Sequence, residues 1–210
     1  MFRYAARISC CLVFGLVSTF ALAQAEFSAD IVDLQKTGAP TQARIYFAKD
    51  KLRVESLDSG PRGGGAVIMN LSNQTAIILM PQQHMYMDMP VQSAAQRQSF
   101  TMSLFRAGDV ENACADWQKA PHNQGGTCRK VGSETVNGRA TIKYEGTGSN
   151  GDTGYFWLDP KLRFPIKWER KTSKGELQNI QEGTQPSSLF EVPAGFTKMQ
   201  LPGGMQMPQH

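Results

Sequence analysis

Thr41–Leu57, TQARIYFAKDKLRVESL, decides the fold. In its first half Ala43, Ile45 and Phe47 share one face, while Gln42, Arg44 and Tyr46 share the other. Lys49-Asp50 makes a tight turn. Leu52 and Val54 then face inward, alternating with Lys51, Arg53 and Glu55. A period of two on both sides of a turn reads as a β-hairpin with one buried face. The same pattern extends outward. Phe27–Leu34 reads as a preceding strand, and Gly65–Leu71, Gln74–Met80 and His84–Met89 as three following ones, making a six-stranded antiparallel meander. After an interruption, strand signals resume at Cys128–Glu134. Asn137-Gly138 suits a type I′ hairpin turn into Arg139–Gly146. Thr153–Leu158, Phe164–Lys171 and Glu176–Gly183 complete the second half, with Ser173-Lys174-Gly175 read as a turn.

Between the halves the period changes. Val91, Ala94, Ala95, Met102 and Phe105 recur at helical spacing, which predicts a helix over 91–106, and Asn112–Ala120 a further helical turn. Ten or eleven strands are too many to lie flat. The expected fold is therefore mainly β, a curved antiparallel sheet or half-open barrel with one central helix against its concave side. That geometry leaves room for an apolar cavity.

The ends are read differently. Arg3 and Arg7 precede the apolar run Ile8–Phe20, and small-residue sites follow at Ala21-Leu22-Ala23 and Ala23-Gln24-Ala25. This predicts a secretory leader over 1–23, with alternative cleavage after residue 25. Residues 24–200 form the predicted single domain and 201–210 a flexible tail. The formal net charge is +4, and the leader carries two arginines and no acid, so the mature chain would be +2. So small a charge gives no reason to expect nucleic acid. The run is also too short to span a membrane. Cys10 and Cys11 lie inside the apolar run, not directly after a cleavage site, so the expectation is an exported, soluble periplasmic protein without a lipid anchor. Cys114 and Cys128 are then the remaining cysteines. They are expected to form a structural disulfide in an oxidising compartment.

Five stretches resemble the LolA-like superfamily of bacterial envelope proteins, in its uncharacterised branch. They are Ala43–Glu55 (ARIYFAKDKLRVE), Ala76–Met89 (AIILMPQQHMYMDM), Lys130–Tyr144 (KVGSETVNGRATIKY), Tyr155–Trp168 (YFWLDPKLRFPIKW) and Leu189–Phe196 (LFEVPAGF). The resemblance implies an unclosed barrel lidded by helix around a hydrophobic cavity, a role in envelope lipid or lipoprotein handling, and an arginine near the cavity, for which Arg53 is the match.

Candidate residues follow from chemistry. Met85, Met87 and Met89 alternate, so a strand projects all three from one face. Flexible thioethers suit the lining of a site for irregular apolar ligands. With Arg53, Phe156 and Trp168 they form the expected binding set for a lipid or acyl chain. An alternative takes His84, Met85, Met87 and Met89 as a Cu(I) site, because soft thioethers select that ion. Otherwise no cofactor is expected. A further alternative is a non-catalytic module that docks other envelope proteins, and the oligomeric state is left open. The chain has no G-x-S-x-G, H-E-x-x-H or S-x-x-K motif, and Gly63-Gly64-Gly65 lacks the following Lys-Ser/Thr of a phosphate loop. The expectation is that the protein is not an enzyme.

Overall fold

The computed structural model describes residues 25–38, 40–57, 64–91, 93, 107–119 and 123–199. The leader predicted over 1–23, the tail predicted over 201–210 and, beyond Val91 and Ser93, the helix predicted over 91–106 lie outside the described residues.

Among the described residues twelve strands form a single sheet. They are β1 (Phe27–Asp33), β2 (Thr41–Ala48), β3 (Lys51–Ser56), β4 (Ala66–Asn70), β5 (Thr75–Met80), β6 (Met85–Pro90), β7 (Thr127–Val136), β8 (Arg139–Thr147), β9 (Thr153–Asp159), β10 (Phe164–Arg170), β11 (Ser173–Glu182) and β12 (Thr197–Lys198). The order across the sheet is β12-β6-β5-β4-β3-β2-β1-β11-β10-β9-β8-β7. Two meanders therefore meet at β1, which pairs antiparallel with both β2 and β11. All the pairings are antiparallel except that of β12, which runs parallel to β6. A short helix, α1 (Cys114–Trp117), precedes β7.

The alternation predicted in Thr41–Leu57 is the alternation observed. Ala43, Ile45, Phe47, Leu52 and Val54 are at most 2% exposed. Irregularities fall where the residue chemistry demands them. Pro165 has no N–H to give the ladder, and the β9–β10 register shifts between Pro165 and Lys167. Ser173–Gly175, expected as a turn, begins β11 instead, because Gly175 pairs with both Asp33 and Trp168.

The direction of curvature is visible in three rings. Phe47 on β2 and Phe164 on β10 are separated by three inter-strand steps, roughly 14 Å in a flat sheet. Their ring centroids are 5.6 Å apart, and each lies within 5.7 Å of Phe27 on β1. The sheet must curl toward these side chains, so their face is the concave one. The result is an open, curved, half-barrel sheet as expected, whose two edges do not pair with each other among the described residues.

The disulfide is present. Cys114 and Cys128 are bonded at 2.02 Å and tie α1 to the start of β7. Above it, Trp117 lies on Gly146, where a Cβ would come within 2.6 Å of the indole. Trp117 shares a small core with Ala107, Ala113, Ile142, Tyr144, Phe156 and Leu158.

Candidate functional site

Cross-strand register builds the concave face in rows. One row runs Phe27–Phe47–Leu52–Met69–Ala76–Met89 across β1 to β6. The next runs Ala29–Ile45–Val54–Val67–Ile78–Met87. In both, every residue from β1 to β4 is at most 3% exposed, and so is Ala76. Ile78, Met87 and Met89 are only half-buried, as are Met80 and its partner Met85. One continuous apolar surface thus passes from sealed core to partly open surface as it nears β6. Among the described residues, the strand beyond β6 is β12, two residues long.

The structure brings Met85, Met87 and Met89 together on this face and places the other predicted residues variously. Trp168 is half-buried on the same face, against the main core. Its indole lies on Gly175, whose missing side chain makes the space: a Cβ there would overlap Cζ2 and stand 2.8 Å from Cε2. Phe156 pairs with Trp168 but is buried, its ring stacked 5.1 Å from Tyr144 under the segment that carries α1.

Arg53 is not with the methionines. It alternates with Leu52 and Val54, so it projects from the convex face. There Nε donates to Glu55 Oε1 at 2.6 Å and Nη1 to the Leu189 carbonyl at 2.8 Å. The expectation of a cavity arginine at this position is corrected by that placement. The segment that Arg53 holds explains the arrangement. Leu189, Phe190, Val192 and Phe196 pack with Ala66, Ile68, Leu79 and Tyr86 on the convex side of β4 to β6.

His84 also departs from the methionines. It adopts φ 50° at the end of the Pro81–Gln83 turn, and its ring lies 5.8 Å from Phe196 on the convex side. The set required for the Cu(I) alternative is therefore divided between two faces. Among the described residues no group of three or more His, Cys, Asp or Glu is placed to hold a metal ion.

Two features escaped sequence reasoning. The first is the convex cover from Leu189 to Phe196, whose apolar spacing in a proline-bounded segment is the signal that points to it. The second is Trp157, which is 2% exposed. Its Nε1 donates to Glu134 Oε2 at 2.6 Å, and the ammonium groups of Lys143 and Lys167 lie 4.7 and 4.6 Å from its ring. The bonds from Lys143 and then Trp157 hold the Glu134 carboxyl below its ordinary range. At the far end of the concave face, burial pulls the Arg170 guanidinium below its usual value, opposed by the Asp152 charge.

The chain aligns with several solved structures. An uncharacterised conserved protein from Thermus thermophilus aligns over 85% of this chain and 91% of its own, at 11% identity and a TM-score of 0.51. The likeness is one of fold. MucB aligns over 83% of this chain at 15% identity and a TM-score of 0.47, and this chain covers 60% of it. MucB has also been solved in complex with MucA(peri). A domain from Vibrio parahaemolyticus named for outer membrane lipoprotein sorting aligns over 79% of this chain and 87% of its own, at 12% identity and a TM-score of 0.34. No protein-family model matches the chain, and no curated protein matches it. Among the described residues no helix is long and apolar enough to cross a membrane.

Proposed function

We propose that this is a non-catalytic binding protein of the bacterial envelope that holds a lipid or acyl chain against the concave face of its half-barrel. The observation that carries this reading is the burial gradient along the two rows. A surface continuous with the sealed core at Phe27 and Ala29 becomes half-open at Ile78, Met87 and Met89. Covering it removes apolar area from water at about 25 cal/mol per Å² before the costs of association. Methionine suits such a site, because an unbranched thioether adapts to chains of varied shape. The leader-like sequence supports export, and the likeness in fold to the Thermus protein supports the architecture.

Native mass spectrometry of protein purified gently from periplasm tests the reading. An adduct of lipid mass that organic extraction removes is expected. Delipidated protein should bind a fluorescent acyl probe, and Met87→Asp should weaken it about tenfold by placing a carboxylate on the apolar face. Asp88→Asn, on the opposite side of the same strand, should leave affinity unchanged. If delipidated wild-type protein takes up no acyl probe, the proposal fails.

A further inference from the structure

The strand ends nearest Asp33 form one rim of the sheet. Register fixes its members. Asp33 ends β1 opposite Gly175 near the start of β11, Thr41 starts β2 opposite Val32, Ser56 ends β3 opposite Ala43, and Arg170 ends β10 opposite Ser173. Met80 and Met85, paired where β5 ends and β6 begins, stand at the same rim. The half-open part of the concave face therefore reaches it. Phe27, Phe47 and Phe164, each at most 1% exposed, fill the opposite end.

Three lysines and a leucine are exposed there. Lys36 follows β1, Lys171 lies in the turn between β10 and β11, and Lys174 is the second residue of β11. Leu57, directly after β3, is 54% exposed, against a core of large apolar side chains that are nearly all below 10%. From β3 to β10 is four inter-strand steps, about 19 Å in a flat sheet and less in a curled one. The rim's own bonds hold this set in place. Leu57 N–H donates to the Gln42 carbonyl at 3.0 Å, Gln42 Nε2 to Asp33 Oδ2 at 2.8 Å, and Leu34 N–H to the Lys174 carbonyl at 3.0 Å. The nearby acids are engaged with other groups: Asp33 accepts from Gln42, Asp152 accepts from Asn150, and Glu169, the register partner of Lys174, lies 3.6 Å from Lys167. Lys36 stands 3.9 Å from Asp33 with its side chain 64% exposed. Among the described residues Lys171 and Lys174 enter no ion pair, whereas Lys143, Lys161 and Lys198 each do.

We infer that this rim docks on an anionic lipid bilayer, with Leu57 entering the interface and Lys36, Lys171 and Lys174 meeting lipid phosphates. Reversible attachment to a membrane surface takes two signals, an apolar anchor and a basic patch, and the rim carries both. Lysine suits this surface: its flexible stem carries a compact charge that follows mobile phosphates, where a guanidinium fork would select one fixed partner. A folded protein partner would call for a continuous apolar patch at its centre. Here one leucine stands among cations. The inference goes beyond the reading of the concave face and does not depend on it. Together the two give the groove a direction, since docking brings its Met80–Met85 end to the membrane.

The test is co-sedimentation of the full-length mature protein with vesicles of phosphatidylcholine alone, or of phosphatidylcholine with one-third phosphatidylglycerol. Partitioning onto the anionic vesicles, falling as salt is raised, is expected. A lysine near such a surface is worth about fivefold. Lys36→Gln, Lys171→Gln and Lys174→Gln together should therefore weaken partitioning about a hundredfold. Leu57→Ser should weaken it about tenfold, and Leu57→Trp should add an emission that shifts blue when vesicles are supplied. Lys161→Gln, at the opposite end of the sheet, is the control and should change nothing. Absence of partitioning, equal partitioning onto both vesicles, or a triple variant that partitions like wild type overturns the inference. Retention on heparin without vesicle binding overturns it too, and assigns the lysines to a soluble polyanion. If Leu57→Ser partitions like wild type, the insertion of the leucine is overturned. Acyl-probe affinity of the triple variant should equal that of wild type, which separates the two readings. Vesicle binding by a protein that takes up no acyl probe removes the concave-face reading and leaves the docking surface.

Discussion

The Arg53 guanidinium donates a 2.8 Å hydrogen bond to the Leu189 carbonyl, joining residues 136 apart in sequence across the convex face. With Glu55 bonded to the same side chain, it fastens the segment that covers Ile68, Leu79 and Tyr86.

Arg53→Ala removes a charged donor from a half-buried carbonyl and carboxylate. The expected cost is about 2 kcal/mol, read as a lower urea midpoint with an unchanged slope. Acyl-probe affinity should not change, because the ligand face is on the other side of the sheet. A normal midpoint with weakened binding would reverse the assignment.

Reduction of Cys114–Cys128, or Cys114→Ser with Cys128→Ser, should cost roughly 3 kcal/mol, the loop-closure contribution for a separation of 14 residues. Trp117 is 2% exposed beside the bridge. Its emission should therefore shift red early in the denaturation of the reduced protein, ahead of the loss of β-sheet dichroism.

Gly175→Ala is predicted to destabilise the protein by about 1–3 kcal/mol through overpacking. The new methyl would overlap the Trp168 indole and stand 2.8 Å from the Val32 carbonyl oxygen. Because the oxygen belongs to the backbone of the central strand, the indole must move. A lowered melting temperature accompanied by weaker acyl-probe binding would report that displacement. Gly132→Ala, with open space around its Cβ position, serves as the control.

The acid side of the stability profile should follow Glu134 and Glu182. Lys143 and Trp157 hold the first below its ordinary value of 4.5, while Lys161, and Arg139 against the effect of burial, do the same for the second. A depressed carboxylate binds fewer protons folded than unfolded. Its stabilisation is complete above the unfolded value and is lost as pH falls through the lower folded value. Melting temperature should thus decline below about pH 4.5, the ordinary Glu range. Tryptophan emission should titrate in the same window, since Glu134 accepts the Trp157 indole N–H. Glu134→Gln should flatten both curves partially, and an unaltered emission titration would exclude Glu134 as its source.

Local patterns made most of the sheet legible. Alternation in Thr41–Leu57 marks β2 and β3 almost to the residue, and Asn137-Gly138 marks the β7–β8 turn because both positions take positive φ, 49° and 76°. Each of these depends on neighbours in sequence, where side-chain period and turn sterics act directly. β12 escaped notice, since a two-residue strand has no period of its own and exists only where β6 offers it an edge.

By itself the amino-acid sequence determined that a half-buried sheet would form, that two cysteines would bridge, and that Met85, Met87 and Met89 would share one side. It did not determine which side was concave, because alternation separates two faces without naming either. That was decided by long-range packing: Phe27, Phe47 and Phe164 drawing β2 and β10 together, and Leu189 to Phe196 covering the opposite side. The same packing assigned Arg53 and His84 to the convex face, and Arg170, with Trp168, to the concave one. A side chain's ligand depends on which surface the sheet curls around, and curvature is a property of strands far apart in the chain.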